Sequence, residues 1–143
     1  MTAIAGLIDK GRVYIAGDSA GSNSNFNLTV RGDAKVFRNA GYVFGFTTSF
    51  RMGQLIRYAF KPPEAPLPHQ SEDLMGFMAT TFIDSLRSCL KEGGYAEKEK
   101  DVERGGTFLV GIGSALFCIE SNYQVAIPSV GFDAVGCLSL IHI

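Results

Sequence analysis

Three side chains near the start of the chain, Thr2, Asp18 and Lys35, are of the types that could together cut an amide bond. Thr2 stands directly behind Met1, and a small residue there normally allows the Met to be removed. Thr2 would then carry a free α-amine beside its own hydroxyl. An α-amine has an ordinary pKa of roughly 8, so it accepts a proton near neutral pH and can act as base to a hydroxyl on the same residue. A lysine ammonium close by would lower that pKa, and a carboxylate would hold the lysine charged and in place. Taken singly the residues are bland. Most Asp residues at strand ends cap turns, and most Lys side chains are solvated. The trio becomes chemistry only if folding brings its members together.

A second pattern points elsewhere. Gly17-Asp18-Ser19-Ala20-Gly21 matches G-x-S-x-G, the nucleophile elbow of α/β-hydrolases. That elbow needs several strands before it and a helix directly after it. Here two strands precede it and the polar run of residues 19–27 follows. Neither His69 nor His142 sits where a triad base is needed. The match is read as coincidence.

The elements that must position the trio follow from patterning. Residues 3–9 and 12–17 are apolar and partly β-branched, with Asp9-Lys10-Gly11 as turn between them, so a β-hairpin is expected. Short strands are expected at 28–31 and 35–38, and Tyr42-Val-Phe-Gly-Phe46 reads as a strand buried on both faces. Asp18 at the end of the second strand and Lys35 at the start of a later one can both face Thr2. Ser49 is a plausible N-cap for a helix to about Phe60, with Met52, Leu55, Ile56 and Ala59 on one face. A proline-rich connection covers 61–68. A second helix opens at Ser71-Glu-Asp, buries Leu74, Met78, Phe82, Ile83, Leu86, Cys89 and Leu90, and ends at Gly93-Gly94. Residues 96–104 are charged and expected to be exposed. Residues 107–111 and 116–120 form a second hairpin, and 123–126 and 132–135 are short strands. Strands, two helices, then strands make an α+β fold of two sheets with helices packed outside.

Gly17-Asp18, then Thr29-Val-Arg-Gly-Asp-Ala-Lys35-Val-Phe-Arg38, then Val43-Phe-Gly-Phe46 resemble the start of proteasome β-type subunits, the HslV-like peptidases among them. These are N-terminal-nucleophile (Ntn) hydrolases. The likeness covers roughly residues 2–60, with weaker support through residue 136 from the two helices and Gly-Gly-Thr-Phe-Leu-Val-Gly111. It implies a four-layer αββα sandwich, incomplete at the C-terminus, in a single domain over residues 1–137. It implies a threonine-type endopeptidase in which Thr2 is nucleophile, Asp18 positions Lys35, and Lys35 tunes the α-amine. It places the oxyanion-binding backbone N–H in Thr47-Thr48-Ser49, at Thr48 first and Ser49 beside it, and it puts Ser22 along the substrate-binding strand. Cys137 stands where the family usually has a Ser of the catalytic network, and a thiol donates only weakly. The implied partners are a peptide or unfolded protein as substrate and further copies in a ring homo-oligomer, with room for an ATP-dependent unfoldase. No cofactor or metal is called for. Two alternatives share the fold: an inactive structural subunit of such an assembly, and an Ntn amidohydrolase acting on a small-molecule amide.

The tail, residues 138–143, lacks the Gly-rich turn that follows this strand in the family. It is expected to be non-native, the chain being a fragment with part of one sheet and one helical layer missing and apolar surface left exposed.

Bulk numbers narrow the field further. With 143 residues, 46% hydrophobic and 19% charged, the chain is a globular domain. A net charge of −1 gives no electrostatic case for nucleic acid or an anionic membrane. No apolar run is long enough to span a bilayer, and Asp9 and Lys10 interrupt any signal-peptide core, so a cytoplasmic location is expected. Cys89, Cys118 and Cys137 are odd in number and widely spaced, and the histidines are only 2, which argues against a disulfide framework or a zinc site.

Overall fold

The structure is a computed structural model that describes residues 1–23, 25, 27–67, 73–95, 97–99 and 102–137. The expected non-native tail at 138–143 and the expected start of the second helix at Ser71 lie outside these residues.

The first hairpin forms as its sequence demands. Strands β1 (Ala3–Asp9) and β2 (Arg12–Gly17) pair antiparallel with Asp9 opposite Arg12. The two turn residues Lys10 and Gly11 have φ of 48° and 74°. Positive φ at both positions suits the right-handed twist of the flanking strands, and Gly11 takes it without strain. Side chains alternate along β1, with Ile4 and Ile8 turned inward and Ala5 and Leu7 outward.

A small ribbon follows, β3 (Ala20–Ser22) with β4 (Leu28–Val30). Then come β5 (Val36–Asn39) and β6 (Tyr42–Phe46). Helix α1 (Phe50–Gln54) is capped by Ser49, whose side chain accepts from Arg51 N–H, as its sequence suggests. It runs on as a wider π-helical turn (Leu55–Ala59), where Phe60 N–H reaches Leu55 C=O at 2.8 Å. The second helical segment is α2 (Leu74–Phe77), a π-helical turn (Met78–Phe82) and α3 (Ile83–Glu92), with Asp73 as cap. The charged stretch forms a hairpin of its own, β7 (Glu97–Glu99) and β8 (Val102–Arg104). Strands β9 (Phe108–Ile112), β10 (Ala115–Ile119), β11 (Val125–Ala126) and β12 (Phe132–Gly136) complete the order.

Two sheets result: one of order β12-β1-β2 and one of order β11-β10-β9-β6-β5. The helices cover the larger sheet. Tyr42, Phe44 and Phe108 from that sheet meet Met52, Ile56, Phe60, Phe82 and Leu86 from the helices. Ring pairs such as Tyr42–Phe82 at 5.3 Å and Phe60–Phe82 at 5.6 Å fill this layer. A second, smaller core lies between the sheets, built from Ile4, Leu109, Leu116, Cys118 and Val135. The described residues thus form three layers: helices, the larger sheet, the smaller sheet. On the outer face of the smaller sheet Leu7, Tyr14 and Phe132 are exposed, and the register sets Leu7 between the other two.

The sheets approach closely at Gly45. A Cβ there would stand 2.6 Å from Ile4 Cγ2 and 2.6 Å from Ile15 Cγ2. Gly45→Ala is therefore expected to lower stability by about 1–3 kcal/mol, read as a lower urea midpoint at unchanged slope.

Candidate active site

The hairpin register brings Asp18 to Thr2. Ile4 pairs with Gly17, and Asp18 N–H donates to Ala3 C=O at 3.1 Å, so Asp18 sits beside the Thr2–Ala3 peptide. Its Oδ1 accepts from Ala3 N–H at 2.8 Å and its Oδ2 from Ala20 N–H at 3.0 Å. Lys35, just ahead of β5, is 2% exposed. Its Nζ donates to Asp18 Oδ1 at 3.0 Å and to Thr2 Oγ1 at 3.0 Å. A lysine this buried is rare unless paired, and Asp18 supplies the pairing charge. All three members of the trio thus meet at one ammonium.

Burial pushes the Asp18 carboxyl up, but the Ala3 N–H, Lys35 and the Ala20 N–H together outweigh it, and the carboxyl titrates below its ordinary value. A carboxyl with a folded pKa below its unfolded value stabilises the fold above the ordinary carboxylate range and loses that contribution as pH falls through the folded pKa. Stability is expected to decline below about pH 4. Asp18→Asn, followed by denaturant midpoints across that range, should flatten this decline.

The turn after β6 holds Thr47, Thr48 and Ser49, where the oxyanion-binding N–H is expected. Thr47 N–H and Thr47 Oγ1 both donate to Thr107 C=O, at 3.0 and 2.7 Å. Ser49 N–H donates to Thr47 C=O at 2.7 Å, so Ser49 serves as turn and helix cap. Among the described residues Thr48 N–H donates to no protein acceptor. Thr48 is exposed, and with Thr2, Ser22 and Phe46 it lines an open cleft of about 70 Å³. A neighbouring hollow of about 100 Å³ shares Phe46 and Phe50 with that cleft and is flanked by Asp33 and Arg57.

Ser22 lies on β3, and its hydroxyl accepts from the Met1 ammonium. Met1 is attached, so the Thr2 nitrogen is an amide in this structure. Cys137 meets Thr2 through its backbone, its N–H donating to Thr2 C=O at 2.7 Å. Its thiol is exposed and makes no hydrogen bond among the described residues. The residue before it matters more: Gly136 has φ of 78°, and a Cβ there would stand 2.1 Å from Thr2 O. Neither Gly136 nor Thr107 stands out in the sequence, because both act through main-chain atoms. The G-x-S-x-G match fares as expected, since Gly17 and Ala20 belong to successive strands with no helix after them.

Among the described residues no group of His, Cys, Asp and Glu is placed to hold a metal ion, and no helix is long and apolar enough to cross a membrane.

No family model and no curated protein matches the sequence. Solved structures do match the fold. BPH from Thiobacillus denitrificans, solved in complex with epoxomicin, superposes with a TM-score of 0.70 at 18% identity, over 94% of this chain and 72% of that one. HslV from Trypanosoma brucei gives 0.57 at 14% identity, over 94% and 71%. Anbu, an ancestral β-subunit from Yersinia bercovieri, gives 0.59 at 14% identity, over 94% and 60%. All three are proteasome-like Ntn hydrolases. The strand-helix-strand order and the two stacked sheets are thus those of the proteasome-like Ntn-hydrolase fold, and the chain has that fold.

Proposed function

We propose that the chain is a threonine-type peptidase subunit that cuts peptide bonds through an acyl-enzyme on Thr2. The observation that carries this reading is the buried Lys35 ammonium, 3.0 Å from both Thr2 Oγ1 and Asp18 Oδ1. Once Met1 is removed, the Thr2 amine takes the proton of Thr2 Oγ1 as that oxygen attacks the substrate carbonyl. Lys35 keeps the amine's pKa low enough for it to be unprotonated near neutral pH. The carbonyl oxygen, now anionic, is received by Thr48 N–H. The amine then protonates the departing amine of the substrate, leaving an ester on Thr2. Water, deprotonated by the same amine, hydrolyses the ester and frees the second product.

The substrate would be a peptide or an unfolded protein, held extended along the strand that carries Ser22 by backbone pairing. The hollow beside Phe46 and Phe50 would take one of its side chains. Assembly in a ring of like subunits, feeding by an ATP-dependent unfoldase and a cytoplasmic location belong to the same proposal. The Lys35 pairing also favours an active subunit over a structural one, because an inactive chain has no use for a buried ammonium on Thr2.

Assay of fluorogenic peptide amides beside penicillin-type and glutamine-type amides separates the alternatives. Turnover of peptides is expected. Turnover of the small amides with peptides untouched would contradict the proposal.

A further inference from the structure

Thr48 has φ of 69°, and left-handed backbone is costly for a β-branched residue, on the order of 1–2 kcal/mol. Glycine would remove that cost, so the side chain must contribute something in return. Its hydroxyl closes a ring of hydrogen bonds. Thr107 N–H donates to Thr48 Oγ1 at 3.1 Å. Thr48 Oγ1 and Thr47 Oγ1 are 3.1 Å apart, and Thr47 Oγ1 gives its one proton to Thr107 C=O at 2.7 Å. The proton between the two threonines therefore belongs to Thr48, and every donor in the ring has an acceptor. The ring begins and ends on the main chain of Thr107, the residue that leads into β9.

We propose that the Thr48 hydroxyl is a positioning device that locks the Thr47–Thr48 peptide, and with it the oxyanion-binding N–H, against the start of β9. This rests on the peptidase reading above. A preorganised donor counts because it needs no rearrangement as charge develops. The lock would therefore act on the tetrahedral step and leave substrate binding and the nucleophile alone.

The test compares two reactions of Thr2 in the full chain. Hydrolysis of a fluorogenic peptide amide passes through a tetrahedral oxyanion. Labelling by a peptide vinyl sulfone is a conjugate addition and forms none. Thr48→Val keeps the shape and removes the hydroxyl. It should lower kcat by at least about tenfold, with KM and the labelling rate within about threefold of the parent. Thr48→Ser should restore kcat to within about threefold. Thr48→Gly removes strain and hydroxyl together, so it should lower kcat while leaving the thermal midpoint unchanged or higher, which a purely structural role would not do. Thr48→Val or Thr48→Gly with kcat near that of the parent overturns the inference alone. A parent chain that vinyl sulfone does not label at Thr2 overturns the peptidase reading and this inference with it.

Discussion

Lys35→Met is expected to reduce kcat/KM on a peptide amide by at least about 10²–10³, the range typical of losing a group that assists proton transfer. The substitution keeps length and apolar bulk, so the loss should not come from a cavity. It removes the only cation found within hydrogen-bond reach of Thr2 Oγ1 among the described residues. It also strands Asp18, whose carboxylate keeps the Ala3 and Ala20 N–H donors but loses its counter-charge. Removing one partner of a largely buried pair costs about 3–5 kcal/mol, and the half-exposed Asp18 places this site toward the lower end. Asp18→Asn in the same chain removes the stranded charge. The double variant should regain most of the lost stability in urea melts and none of the lost activity. Recovery of activity in the double variant would mean that Lys35 serves the fold alone.

An extra alanine placed between Met1 and Thr2 is expected to abolish activity, by more than about 10³-fold, because the α-amine would then belong to the inserted residue and Thr2 would keep an amide nitrogen. Stability should barely change. Met1 is 76% exposed, and its ammonium already rests on the Ser22 hydroxyl at the mouth of the cleft, so a residue ahead of Thr2 has room. The fluorogenic assay and a thermal melt on the same preparation check both halves. Full activity in the extended chain would remove the α-amine from the mechanism.

Much of this arrangement is legible in the sequence, for reasons that differ by element. The hairpin at Lys10-Gly11 and the helix cap at Ser49 announce themselves through local chemistry. The trio is readable because strand order dictates that the end of β2 lies beside the start of β1. Other parts leave no mark. Strand β3, built from Ala-Gly-Ser, has no apolar alternation to signal it, whereas its partner β4 falls within the strand expected at 28–31. The β7–β8 hairpin is charged throughout apart from Val102, so it reads as a solvated loop. Cys137 draws attention by its thiol, yet its contribution is an N–H that any residue except proline could supply. Gly136 is needed for its positive φ and for the absence of a Cβ against Thr2 O, both of which are invisible before the chain folds. The role of the Thr48 hydroxyl depends on its φ and on Thr107, far away in the chain.

The central claim is that Thr2, freed of Met1 and served by Lys35, is the nucleophile. Intact-mass and peptide-mapping spectrometry after treatment with a peptide vinyl sulfone tests it most directly. The expected result is a chain lacking Met1 with one adduct on Thr2, absent in Thr2→Ala and strongly reduced in Lys35→Met. An adduct that persists in Thr2→Ala, or labelling of a chain that retains Met1, would contradict it.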